Sequence, residues 1–144
     1  MNKKLKIGVI LVLISFMLLS AGMVFAGGEK ETSGGEKSME KKKIGVSLFY
    51  RRDEFYKDLE SGFYEGAEKY GFDINLQDAD ADPGRQMKQM EDFIASGVDA
   101  IALAATDPDG LIPAVQEANK AGIPVFTFDG GVNGGKVVTH VGMD

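Results

Sequence analysis

The chain has 144 residues, 16 of them Lys or Arg and 22 Asp or Glu, for a net charge of −6 at pH 7. It has no Cys and a single His, His140; this excludes disulfides, thiolate metal sites, cysteine nucleophiles, a lipid-modified N-terminal cysteine and any metal motif that needs two histidines. The acidic balance opposes a nucleic-acid groove, which needs clustered Lys and Arg, and 44% apolar residues suffice for one core of ordinary size.

Lys3, Lys4 and Lys6 open the chain, an apolar stretch follows from Ile7 to Met23, and Val24-Phe25-Ala26 ends it with small or branched residues at −3 and −1. These are the three regions of a cleaved secretory signal, so residues 1–26 are expected to be a signal peptide. An uncleaved membrane anchor is the alternative, since the stretch approaches the ~20 residues that span a bilayer. Cleavage removes three lysines and no acid, which leaves the exported chain more acidic still. Residues 27–42 are rich in Gly, Ser, Glu and Lys without apolar periodicity, and read as a flexible linker.

From Lys43 the pattern alternates. Ile44 to Phe49 is a short apolar run suited to a buried strand. Asp53 to Tyr70 has helical spacing, with Phe55, Leu59, Phe63, Ala67 and Tyr70 on one stripe; Gly62 and Gly66 beside it are expected to let the backbone approach a sheet, and Gly71 to stop the helix. Phe72 to Leu76 reads as a second strand. Asp82 and Pro83 are an N-cap and first residue for a second helix with Met87, Met90 and Ile94 inward, ended by Gly97. Val98 to Ala105 is a third strand, and Asp107-Pro108-Asp109-Gly110 turns into a third helix with Leu111, Val115, Ala118 and Ala121 inward, stopped by Gly122. Ile123 to Phe128 and Val137 to Val141 are the fourth and fifth strands. Continuously apolar strands alternating with helices predict an α/β fold, a doubly wound, flavodoxin-like parallel sheet with helices on both faces.

Two motifs fail on inspection. Gly130 to Lys136 has the outline of a phosphate loop, but Val137 stands where Ser or Thr is needed and a strand follows. Asp78, Asp80 and Asp82 begin like a calcium loop, but Pro83 occupies the turn glycine's place and Gln89 that of the final Glu. No G-x-S-x-G elbow accompanies His140, which reads as a structural histidine.

A third pattern is more informative. Asp53 follows the first strand, Asp107 the third and Asp129 the fourth, and in an open α/β sheet these ends share the ligand-binding edge. Phe55 and Tyr56 bring aromatic surface to the same place. Carboxylates only accept, so they suit a ligand rich in hydroxyl donors, and a ring packs on the C–H face of a sugar. Each Asp taken singly could equally be a cap or turn residue. Arg51 and Arg52 lie in the first loop; either could hold an anion, pair with Asp53 or Glu54, or stand in solvent, with Arg52 kept as a candidate ligand contact.

Four segments, KIGVSLFYRRDEFYKDLESGFYEGAEKYG, QMKQMEDFIASGVDAIAL, AATDPDGLIPAVQEANKAGIPVFTFD and VVTHVGMD, resemble the N-terminal lobe of the periplasmic sugar-binding proteins of ABC transporters, the ribose/galactose-binding type. The resemblance covers residues 43–144. It implies that Asp53 and Phe55 hold and stack a sugar, that Tyr56 is a second aromatic of the ribose type, that Asp129 is the acid after the fourth strand, and that Asp107 lies beside the pocket. Gly130 stands where the ribose type has Arg, and Ala104 where it has an amide, which points away from ribose toward a hexose or other polyol. The family continues into a second lobe that is missing here. The implied function is capture of a monosaccharide for an ABC importer at the periplasm or extracellular face, with a membrane permease as partner and no cofactor, metal or catalysis. A sensing role with a chemoreceptor, or an exported α/β hydrolase, are the alternatives.

Overall fold

A computed structural model describes residues 40–142; the segment expected to be a signal peptide and all but the end of the expected linker lie outside the described residues. Eight elements follow in order: β1 (Lys42–Leu48), α1 (Glu54–Tyr70), β2 (Phe72–Asp78), α2 (Pro83–Ser96), β3 (Ala100–Leu103), α3 (Ile112–Lys120), β4 (Val125–Phe128) and β5 (Val137–Val141). The strands form one sheet in the order β2-β1-β3-β4-β5, parallel throughout. This is the doubly wound arrangement expected, with β1 inside the sheet and the order reversing between β1 and β3. Strand boundaries shift slightly: β1 starts at Lys42, β2 continues to Asp78, and β3 and β4 are each shorter than the apolar runs that contain them.

The helix ends follow local chemistry. Asp53 caps α1 by accepting from the Tyr56 amide at 3.1 Å, and Asp82 caps α2 by accepting from the Arg85 amide at 3.0 Å. Gly71 ends α1 at φ 75°, in the left-handed region that a side chain resists.

Each sheet face has its own core. One joins Met90 and Phe93 of α2 and Leu111 and Val115 at the start of α3 to Ile101, Leu103 and Val125 of the sheet. Against α1 pack Val46, Leu48, Tyr56, Ala102, Ala104 and Phe128, with Leu59, Phe63, Ile74 and Leu76 partly buried.

The inward faces of the helices differ from expectation in three places. On α1, Phe55 and Tyr70 at the ends of the stripe are 44% and 65% exposed rather than buried. Gly62 and Gly66 meet nothing within 4 Å where a Cβ would stand, so they admit no close approach. The close approach is made by Gly45 in β1, where a Cβ would lie 2.6 Å from the Phe93 ring. On α2, Gln86 and Gln89 are buried with Met90 and Phe93, while Met87 and Ile94 sit at the margin. On α3, Ala114 is buried and Ala121 exposed, since Ala121 follows the last helical residue.

The buried glutamines are fully used. Gln86 donates to the Ser47 hydroxyl and the Ala104 carbonyl, both at 2.9 Å, and accepts from the Thr106 amide and hydroxyl, both at 2.8 Å. Ser47 donates to Gln89 at 2.7 Å, and Gln89 donates to the Asp78 carbonyl at 2.8 Å. This network ties together the C-terminal ends of β1, β2 and β3 and leaves no buried side-chain polar atom unpaired among the described residues.

Candidate functional site

The C-terminal ends of the strands carry the loops in which the candidate residues lie. The loop after β1 delivers Tyr50 to Asp53 and leads into α1, so the cap that starts the helix also fixes the Asp53 carboxylate. One Asp53 oxygen accepts from the Tyr56 amide and the other from the Tyr50 hydroxyl at 2.8 Å. One turn into α1, Tyr56 is 3% exposed and its hydroxyl donates to the carboxylate of Asp129 after β4. Asp129 holds a left-handed backbone at φ 55°, which Asp tolerates better than most residues. The following Gly130 lies so close to Ala105 that a Cβ there would be 2.6 Å from the Ala105 carbonyl.

Tyr56 therefore joins the first loop to the fourth strand. Its ring centroid lies 4.9 Å from that of Tyr50 and 5.3 Å from that of Phe55, the latter edge-on. Burial and the Asp129 carboxylate both push the Tyr56 phenol well above the ordinary tyrosine pKa. The bond to Asp53 raises the Tyr50 phenol as well. The result is a set of neutral hydroxyls and two carboxylates bordered by exposed aromatic surface.

The remaining candidates sit apart. Asp107 is absorbed by its own turn, accepting from the amides of Asp109 at 3.0 Å and Gly110 at 2.9 Å, and no contact links it to Asp53 or Asp129. Arg52 pairs neither with Asp53 nor with Glu54. Its Nε donates to Asp80 Oδ1 at 3.0 Å and its Nη2 to the Asp80 carbonyl at 3.2 Å. The guanidinium holds the Asp80 carboxyl below its usual range, so this charge is already matched. Arg51 reaches Glu60 at 2.8 Å. Asp82 is spent as a cap and Asp78 accepts from the Asp80 amide at 2.7 Å, so the three Asp of the apparent calcium loop do not converge; among the described residues no group of three such ligands forms. His140 is 2.9 Å from the Thr127 hydroxyl through Nδ1.

Tyr50 went unnoticed in the sequence because it lies between the first strand, read as ending at Phe49, and the loop's acid, and only the folded loop brings its hydroxyl to Asp53. Asp80 was visible only as part of the failed calcium pattern.

The sequence profile of the periplasmic binding protein domain matches residues 44–144. The chain belongs to that family. It is 33% identical over 141 residues to the ribose import binding protein of Bacillus subtilis, an alignment that takes in 98% of this chain and 46% of that protein. Among solved structures, an ABC transporter solute-binding protein of Mycobacterium smegmatis with bound glycerol superposes with a TM-score of 0.68 at 30% identity, covering 73% of this chain and 36% of the other. A periplasmic solute-binding protein of Actinobacillus succinogenes with bound D-allose gives 0.63 at 29%, covering 65% and 34%. The chain spans less than half the length of these relatives, which are all solute-binding proteins rather than enzymes. As a periplasmic binding protein, the chain supplies one lobe's worth of sheet, and its strand ends form the border of that lobe.

Proposed function

We propose that this chain is the N-terminal lobe of an exported solute-binding protein that captures an uncharged monosaccharide, a hexose or related polyol, for an ABC importer. The observation that carries this reading is the Tyr56 bridge between the first loop and Asp129, which gathers two carboxylates and the exposed Phe55 ring at one sheet edge. Carboxylates accept from sugar hydroxyls, each charge-assisted bond contributing roughly 1.5–3 kcal/mol. Phe55 offers a flat apolar face to ring C–H groups. Arg52 is matched by Asp80 and Arg51 by Glu60, so neither arginine of the first loop is left to select an anion, and the ribose and D-allose named for the relatives are likewise uncharged. Within this reading Asp53, Phe55, Tyr56 and Asp129 contact the ligand, Asp107 and Arg52 shape the loops around it, and a membrane permease receives it.

The test is titration of the purified chain with glucose, galactose, xylose and ribose, followed by NMR. One lobe presents half of an enclosing site, so the expected affinity is millimolar, about −4 kcal/mol. Shifts should concentrate at Phe55, Tyr56 and Asp129, strongest for a hexose, and vanish in Asp129→Asn. No response to any of the four sugars at saturating concentration refutes the reading.

A further inference from the structure

Three hydrogen bonds build the candidate site. Two are partly buried, from the Tyr56 amide to Asp53 and from the Tyr56 hydroxyl to Asp129. The third, from the Tyr50 hydroxyl to Asp53 Oδ2 at 2.8 Å, is exposed to solvent. A phenol has one proton to donate and two lone pairs that accept. The Tyr50 proton is spent on Asp53, and the same bond raises the phenol's pKa, so the hydroxyl stays neutral in ordinary solution. Toward a ligand the pair therefore shows acceptors alone: Tyr50 Oη beside Asp53 Oδ2.

The pair is braced from within the chain. Phe49 meets the Tyr50 ring edge-on at 5.1 Å between centroids, and Tyr56 lies 4.9 Å away. The central carbon of the Arg52 guanidinium stands 5.8 Å from the ring centre, a cation over a π face. Asp80 grips Arg52 in turn, and Asp80 and Ala81 hold left-handed backbones at φ 54° and 56°. A left-handed alanine is costly and persists only where its surroundings hold it. Here the Ala79 and Ala81 amides donate to the Leu48 and Phe49 carbonyls at 3.0 and 2.8 Å, lacing the loop after β2 to the loop after β1. With Tyr50 held in this way, a ligand adds to the Tyr50–Asp53 pair rather than displacing the hydroxyl from it.

Two acceptors a hydrogen-bond length apart suit two donors at the same spacing. Gauche hydroxyls on adjacent carbons of a sugar ring have that spacing; a trans-diaxial pair, whose oxygens point apart, does not. We propose that Tyr50 is a ligand-contacting residue whose Oη accepts one hydroxyl of a vicinal diol while Asp53 Oδ2 accepts its neighbour. The inference rests on the sugar-capture reading above and names the part of the sugar that the first loop reads.

The experiment titrates the parent chain and Tyr50→Phe by NMR with whichever of glucose, galactose, xylose and ribose binds best, and then with each of its monodeoxy derivatives. Phenylalanine keeps the ring and removes the hydroxyl, which should weaken binding of the intact sugar by about three- to tenfold. One derivative, lacking the hydroxyl that Tyr50 receives, should bind parent and variant equally, while the others keep the difference. If Tyr50 only positions Asp53, the variant loses equally with every derivative. That result, or equal or tighter binding of the intact sugar by the variant, overturns the proposal and leaves sugar capture standing. No binding of any of the four sugars by the parent removes both. A measurement on the parent alone decides the matter even where the variant fails to fold. With tyrosine labelled by carbon-13 at Cζ, the Tyr50 resonance should shift with the intact sugar and stay in place with one derivative. A resonance indifferent to the intact sugar, or moved alike by every derivative, overturns the proposal.

Discussion

The phenol of Tyr56 is buried beneath α1 while its hydroxyl reaches Asp129, and both circumstances disfavour its ionised form. Its pKa in the folded protein is raised above the unfolded value near 10. The stabilisation it brings is therefore complete below that pH and is lost as the pH climbs beyond it. Ultraviolet titration of the four tyrosines should show a fraction that stays protonated well above pH ~10 and ionises only as the fold is lost. Tyr56→Phe should remove that late fraction and cost about 1–2 kcal/mol, because Asp129 loses its donor. A single titration step common to all tyrosines would contradict the bridge.

At the level of the elements, the glycines separate two kinds of position. Gly45 is held between sheet and helix by the Phe93 ring, so Gly45→Ala should destabilise by about 1–3 kcal/mol through overpacking. Gly62 and Gly66 stand in open space on a helix, so alanine there should stabilise by roughly 0.5–1 kcal/mol each through helix propensity. Chemical denaturation of the three variants checks this; a gain in stability for Gly45→Ala would remove the argument. The pair of cases also shows what the sequence made legible. Caps and stops are local signals, and Asp53, Asp82, Gly71 and Gly97 mark their helix ends as expected. Which glycine touches another element is settled by a partner 48 positions away, and the i, i+4 spacing of Gly62 and Gly66 holds no information about it. The same limit hid Gln86, a polar residue on an inward stripe whose partners Ser47 and Thr106 come from two other loops and strands. The candidate site divides the same way: the positions of Asp53 and Asp129 at strand ends are legible in the sequence, whereas the turn that occupies Asp107 and the pairing that occupies Arg52 depend on side-chain geometry.

For the molecule as a whole, charge sets the acid limit. Hydrogen bonds from Arg52 lower Asp80, and a hydrogen bond from Lys42 together with the Lys43 amide lowers Asp99. A carboxyl lowered in the folded state stabilises above its unfolded pKa, near 4, and this is lost as the pH falls through the folded value. The melting temperature should therefore decline below pH ~4. It should decline less steeply in the double variant Asp80→Asn, Asp99→Asn. Both pairs are solvent-exposed, so added salt should flatten the decline further. Calorimetry across this range tests the assignment, and a profile that the double substitution leaves unaltered refutes it.

The first of the described strands to be made lies inside the sheet. Ile44 of β1 pairs on one side with Ile74 and on the other with Ala100, so both flanks of this interior strand come from chain synthesised later. Until β3 has emerged, β1 can be paired on one side only, and Gln86 lacks the Ala104 carbonyl and the Thr106 donors that follow β3. Closure of the core is thus deferred to the second half of synthesis. Under the export proposed above, the same delay lengthens the interval in which the chain can be threaded through a translocation pore before it becomes too compact to pass.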